Sequence, residues 1–331
     1  MVHRIAKRRS LIAFFLAGAC SGLALAQAPA PASYPARPIT MLLPLAAGSA
    51  GDVALRLVGQ KMAENMQQGV VVENLPGASG LVGTERIVRA PSDGYLIGGI
   101  GDSVLNYAVN LAPRVNFNPL TDLEPVALVA TIPWTVAVNP QFGTKTLGEF
   151  MARARANPGK VNYASTGPGS ASHVGMEMLA AQAKVAMHHI PYKGATPAVN
   201  DVVAGQVPAV FSAVSVVLPF VKSGKLVALG VPADKRSPLM PDVPTFAEAG
   251  VADFNFTTWV ALFAPKGTPR AVIDKLNAET AKAIADPGVR DKLLAIGLEP
   301  ATATPDQLRA MVASGHARVA AIIKQANIKA E

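Results

Sequence analysis

Apolar and polar positions fall along this 331-residue chain in two kinds of block. Short apolar runs such as Ile39–Leu43, Val70-Val71-Val72 and Tyr95–Ile100 are bounded by Gly, Pro or Asp and read as buried strands. Stretches with helical spacing separate them: one from Asp52 to about Glu64, after the loop Pro44–Gly51, and one over Leu81–Arg89. This β-α-β-α-β rhythm predicts a parallel sheet covered by helices.

Further along, two helix starts are marked by capping boxes. Thr146 with Glu149 opens a helix that stops at Asn157-Pro158-Gly159, and Thr304 with Gln307, with Pro305 between, opens a C-terminal helix to about Gln325. Strands are expected at Val161–Tyr163, Met187–Ile190, Val207–Phe211 and Lys225–Val231. Val126–Thr131 and Thr258–Ala264 are extended, apolar and flanked by prolines, as strands joining two lobes would be. That gives a discontinuous two-lobed α/β protein, with residues 34–131 plus 256–331 in lobe one and 132–255 in lobe two.

Composition narrows the class. Half the residues are hydrophobic and 16% are charged, which excludes a disordered chain. The formal charge is +8, yet Arg4, Lys7, Arg8 and Arg9 supply half of it, and without residues 1–26 it falls to +4. The remaining Lys and Arg are scattered, so a nucleic-acid partner is not expected. The basic start runs into Leu11–Gly18 and then Ala24-Leu25-Ala26, the three parts of a secretory signal peptide, with cleavage expected after Ala26 and a periplasmic destination. Cys20, the single cysteine, lies inside this segment; lipid attachment there is the lesser alternative, because Leu16 stands one position too early. Cleavage after Ala26 leaves no disulfide, thiol nucleophile or Cys-ligated metal.

Two loops of small residues stand between a strand and a helix, namely Gly48-Ser49-Ala50-Gly51-Asp52 and Ser165-Thr166-Gly167-Pro168-Gly169-Ser170-Ala171-Ser172-His173. Small residues let backbone N–H groups approach a ligand, and helix N-termini favour an anion. Neither loop holds Lys or Arg, which suits a small carboxylate better than a polyphosphate. The plain structural roles are a helix cap or first-turn acid for Asp52, helix capping for Ser170 and Ser172, a hydrogen-bonding role for His173, and core or hinge packing for Trp259. His188 and His189 on one strand point to opposite faces and cannot chelate one metal.

Enzyme motifs fail. Gly101-Asp102-Ser103 resembles a GDSL nucleophile block, but Ala313 stands where an Asp three residues before His316 is needed, and no Gly-x-Ser-x-Gly elbow, Walker loop or dinucleotide fingerprint occurs. A Ser–His hydrolase of carboxylic esters, pairing Ser165, Ser170 or Ser172 with His173, is the alternative to a binding protein. No cofactor and no metal are expected, and the chain is read as a monomer.

Tyr34-Pro35-x-Arg37-Pro38-Ile39, Val70-Val71-Val72-Glu73-Asn74-x-Pro76-Gly77-Ala78 and Ala90-Pro91-x-Asp93-Gly94-Tyr95 resemble the Bug-type extracytoplasmic solute receptors of the tripartite tricarboxylate transporter family. So do Asn162-Tyr163-Ala164-Ser165, Pro191-Tyr192-Lys193-Gly194, Lys235-Arg236-Ser237-Pro238 and Ala264-Pro265-x-Gly267-Thr268-Pro269, and the likeness spans nearly all of residues 34–328. The resemblance implies a type II-like periplasmic binding protein fold, α/β with mixed or parallel sheets, that closes on a small organic anion. It further implies di- or tricarboxylates, acidic amino acids or aromatic acids as ligands, membrane permease subunits as partners, and the two loops as the carboxylate site. Carried onto this chain, the site residues are Leu45, Gly48, Ser49, Asp52, Ser165, Thr166, Gly169, Ser170, His173 and Ser212. Leu45-Ala46-Ala47 departs from the family's Pro- and Gly-rich first loop, and Ser212 stands where many relatives carry an acid or amide.

Overall fold

The computed structural model describes residues 34–329, so the leader and Cys20 lie outside the described residues. Arg37 onward forms one unit; residues 34–36 fall outside it and carry no helix or strand.

The chain builds most of a first sheet, crosses, builds a second, and returns. The first pass runs β1 (Ile39–Leu43), α1 (Ala50–Met66), β2 (Val70–Asn74), α2 (Leu81–Val88) and β3 (Leu96–Gly101). A π-helical segment, Ser103–Ala108, then leads into the short α3 (Val109–Leu111) and β4 (Leu123–Ile132). Beyond Pro133 come β5 (Trp134–Val138), α4 (Leu147–Ala156), β6 (Asn162–Ser165), α5 (Ala171–Ala183), β7 (His188–Pro191), α6 (Ala195–Val203), β8 (Ala209–Ala213), α7 (Val214–Lys222) and β9 (Val227–Gly230). The return supplies β10 (Thr258–Pro265), α8 (Arg270–Ala285), α9 (Pro287–Ala295), β11 (Glu299–Pro300) and α10 (Pro305–Gln325).

The sheet orders are β11-β4-β10-β3-β1-β2 and β7-β6-β8-β5-β9. The expected parallel pairing holds for β1 with β2 and β3, and for β6 with β7 and β8. The strand arriving from the other sheet runs the opposite way in each: β10 is antiparallel to β3 and β4, and β5 to β8 and β9. Both sheets are therefore mixed, and the fold is two-lobed α/β.

Both capping boxes form as expected, at Thr146/Glu149 and Thr304/Gln307. The strand expected at Val207–Phe211 instead spans Ala209–Ala213. Pro208 has no N–H for a ladder, and Ser212 and Ala213 are drawn in by pairing with Thr135 and Trp134 of β5.

β10 is buried along its whole length between β4 and β3, as its eight apolar-rich residues suggest. Beside it Gly99 is required by packing, since a Cβ there would lie 2.4 Å from Leu43 Cδ2 and 2.7 Å from Leu55 Cδ1. In the second sheet Trp134, Phe211 and Phe256 form an aromatic cluster with ring centroids 5.0–5.4 Å apart. α10 serves both cores: Leu308 and Val312 pack with Trp259, while Val319 joins the core around Phe211.

The register puts the carboxyl ends of the parallel strands beside the crossover. Ile132 pairs with Thr258 and Val260 with Gly101 in the first sheet, while Trp134 pairs with Ala213 in the second. Trp134 Nε1 donates to Thr258 Oγ1 at 2.9 Å, and the Val214 amide donates to the Pro133 carbonyl at 2.9 Å. The loops that follow β1, β3, β6 and β8 thus all leave the sheets at the edges where the lobes are joined.

Candidate functional site

The two loops share one local design. In the first, Ser49 is the N-cap of α1, accepting the Asp52 amide at 3.3 Å, and Asp52 reaches back to accept the Gly48 amide at 2.8 Å. In the second, Ser170 caps α5 by accepting the His173 amide at 3.3 Å, and His173 Nδ1 reaches back to accept the Gly169 amide at 3.0 Å. Both glycines have left-handed backbone, with φ 78° at Gly48 and 68° at Gly169. The sequence Gly-Ser-Ala at 48–50 and 169–171 therefore folds the same way twice.

Of the two roles expected of Asp52, cap or first-turn acid, it takes the second, and Ser49 is the cap. Asp52 is buried, and its oxygens also accept from Arg56 Nε at 3.0 and 3.1 Å and from Asn74 Nδ2 at 2.8 Å. Burial alone would raise its pKa, but the hydrogen bonds from Asn74, Gly48 and Arg56 outweigh that and hold it below the usual carboxylate range. With its lone pairs so occupied, Asp52 fixes the loop and is a poor counter-charge for a ligand amine. Asn74 Nδ2 also donates to the Leu45 carbonyl at 3.1 Å, tying both ends of the loop to β2. Leu45 is half-buried, its side chain against Gly51 and Gly101.

In the second loop Ser165 is fully buried, its Oγ 2.5 Å from His189 Nε2 and accepting the Gly167 amide at 3.1 Å. In that arrangement the partner of Ser165 is His189, not the His173 that the hydrolase alternative pairs with it, and His173 Nδ1 is taken by the Gly169 amide. Ser165 thereby braces the loop from within. Thr166 donates its amide to Ser172 Oγ at 2.9 Å, and Ser170 Oγ donates to the Gly167 carbonyl at 2.7 Å. The rings of His173 and His189 stack with centroids 3.8 Å apart and planes 12° apart. Burial first, and then His189 for His173 and His188 for His189, pushes both imidazoles down to about 4, so both are neutral at pH 7. His188, on the same strand, is exposed on the other face.

Gly169 is constrained from a third side. A Cβ there would sit 2.2 Å from Leu111 Cδ1, so the chain leaving β3 packs directly against the second loop. Ser212, at the carboxyl end of β8, is buried opposite Thr135, and its Oγ lies 3.4 Å from the Ala213 carbonyl.

The expected site residues thus form two clusters, Leu45–Gly48–Ser49–Asp52 and Ser165–Thr166–Gly169–Ser170–His173, with Ser212 near the crossover. The sequence reading missed Arg56, Asn74, His189 and Leu111. Only Arg56 had a local signal, four residues after Asp52 on one helix. Among the described residues, nothing pairs the first-turn amides of Ala50 and Gly51, or of Ala171 and Ser172, which an α-helix cannot pair internally. Among the described residues, no group of three or more His, Cys, Asp or Glu is placed to hold a metal, and no helix is long and apolar enough to cross a membrane.

Known proteins give this geometry a context. The sequence pattern described as "Tripartite tricarboxylate transporter family receptor" matches residues 54–328. Protein BugT of Bordetella pertussis is 35% identical over 298 residues, covering 90% of this chain and 91% of that protein. Among solved structures, Rpa4515 of R. palustris with adipate is similar at a TM-score of 0.74 and 27% identity, covering 89% of this chain and 99% of that one. MatC of Rhodopseudomonas palustris with bound malate is similar at a TM-score of 0.69 and 31% identity, covering 88% and 100%.

Proposed function

The chain belongs to the tripartite tricarboxylate transporter receptor family, a family of periplasmic solute receptors and not of enzymes, and from that premise we propose that it captures a small organic carboxylate between its two capped loops. The observation that carries the reading is the doubled Gly-Ser-x-x-acceptor turn, which places a helix N-terminus after a parallel strand in each of the two sheets. Each terminus offers unpaired N–H groups and a positive dipole end, together suited to an anion. Adipate and malate in the related structures are ligands of that kind.

In this reading one carboxylate is held by the amides of Ala50, Gly51, Ala171 and Ser172 with the hydroxyls of Ser49 and Thr166. Ser170 contributes less, because its proton already goes to Gly167. Asp52 is saturated and Ser212 is no acid, so a ligand amine would find no free counter-charge. A plain di- or monocarboxylate is preferred over an amino acid. Lobe one, 34–131 with 256–331, closes on lobe two, 132–255, and the loaded monomer delivers its ligand to membrane permease subunits. Export proceeds by cleavage after Ala26, and intact mass of the periplasmic protein checks this; a diacylglyceryl chain beginning at Cys20 would show anchoring instead.

A thermal-shift screen of malate, adipate, succinate, citrate, aspartate and glutamate tests the ligand class. A true ligand at a hundredfold excess over its Kd stabilises by about 2.7 kcal/mol. Shifts with aspartate or glutamate and none with the plain acids would overturn the preference, and no shift with any carboxylate would overturn the class.

A further inference from the structure

A second interlobe contact lies on the far side of the crossover from both loops. β4 and β10 carry the crossing chain in the first sheet and β5 carries it in the second. β1 and β6, which lead into the loops, stand on one side of those strands, while β11 and β9 stand on the other. There the segment after β9 meets β11 across a pocket of about 310 Å³ lined by Thr131, Trp134, Phe256, Ser237 and Glu299. Ser237, buried, donates from Oγ to Glu299 Oε1 at 2.5 Å. Beside them Gly297 is pressed against α7, where a Cβ would come within 2.2 Å of Ser215 Cβ.

We infer that Ser237 and Glu299 are positioning residues that hold the lobes apart from behind the hinge, so that ligand closure must break their hydrogen bond. The inference rests on the receptor reading above, and the sign follows from lever geometry. A rotation that brings the ends of β1 and β6 together about the β4–β5 crossover separates β11 from β9. Glu299 pairs with Thr131, so it lies one strand over from the pivot, an arm of about 4.8 Å. A closure of some tens of degrees moves it by roughly 2 Å, enough to end a hydrogen bond. Among the described residues Ser237 supplies the one hydrogen bond that this carboxylate receives, and the nearby Arg236 is engaged by Glu248 at 2.8 Å. Burial raises the Glu299 pKa, offset in part by the Ser237 bond. Opening the contact leaves a half-buried acceptor without its donor, so the contact favours the separated lobes.

The test uses the mature protein purified after export. Ser237→Ala removes the donor; Glu299→Leu removes the acceptor while sparing the bond from the Leu239 amide to Ser237 Oγ. Small-angle scattering without ligand should show both variants more compact than wild type. Glu299→Gln keeps an acceptor and should return towards wild type. Titration calorimetry with malate and with adipate should show at least about tenfold tighter binding of the accepted probe by the first two variants, as expected when a bond to a charged group no longer opposes closure. Unchanged or more extended ligand-free scattering in Glu299→Leu overturns the inference, even if Ser237→Ala fails to fold. If wild type binds no carboxylate, the receptor reading fails while the scattering comparison still decides the latch.

Discussion

Gly169 gives its amide hydrogen to His173 Nδ1 at 3.0 Å, and that bond sets which protonation state the second loop tolerates. A nitrogen that accepts cannot carry a proton, so the loop as folded needs neutral His173. In the first loop the same place is taken by Asp52, which accepts from Gly48 and carries its charge at any pH above the carboxylate range. Two turns of one shape thus differ in how they respond to acid.

His173 should make the protein acid-sensitive. Its folded pKa is pushed down to about 4 by burial first and by His189 second, against about 6.5 in an unfolded chain. A base with a depressed folded value contributes stability that is present above the unfolded pKa and is lost as pH falls through the folded one. His189, stacked on it and also at about 4, acts in the same window, with Tyr163 as the third ring of the group. Melting temperature should therefore fall between pH 6.5 and 4. His173→Asn, which can still accept from Gly169, should lose less over that range. An equal loss in wild type and variant would remove His173 as a cause.

The glycines separate conformation from packing. Both have positive φ, which costs a residue with a Cβ about 1–2 kcal/mol, but only Gly169 is crowded. A Cβ on Gly48 meets nothing within 4 Å, whereas one on Gly169 meets Leu111 at 2.2 Å. Gly48→Ala should cost about 1 kcal/mol. Gly169→Ala should add about 1–3 kcal/mol of overpacking, and Leu111→Ala in the same chain should relieve that added part only. Urea unfolding measures all three. Equal costs at the two glycines would mean that Leu111 moves aside freely. Loss of carboxylate binding in a Gly169 variant is consequently no proof of ligand contact until its stability is known.

Much of this was legible in the sequence. Apolar runs and capping boxes located most strands and helices, because those signals are local. Gly48-Ser49-Ala50 and Gly169-Ser170-Ala171 stood in plain view as a repeated turn, although reading each loop separately hid the repetition. The support around the loops was not legible. Asn74 reaches Asp52 across 22 residues and His189 reaches Ser165 across 24, and no spacing rule links residues joined only by strand pairing. Nor could the hydroxyl of Ser165 be told from an exposed ligand group, since burial depends on β6 lying between β7 and β8.

Asp102 should impose the opposite pH dependence. It sits where β3 gives way to the π-helical segment, buried, and accepts a hydrogen bond from Asn106 Nδ2. Burial pushes its carboxyl up to about 7, only partly offset by Asn106 and by Arg318. An acid with a raised folded value favours the folded state at low pH. That advantage is lost as pH climbs from the unfolded value of about 3.9 through the folded one, where the chain must bury a charge or hold a proton the unfolded chain has released. Among the described residues, Asn106 Oδ1 is meanwhile buried without a partner. Asp102→Asn removes the titration and brings an amide N–H₂ within reach of that oxygen. The variant should melt above wild type at pH 8, with the gap narrowing towards pH 4. Because each comparison is made at one pH, the opposing loss from His173 cancels. A variant that melts below wild type at pH 8 would mean that the Asp102 carboxylate is charged and compensated in place.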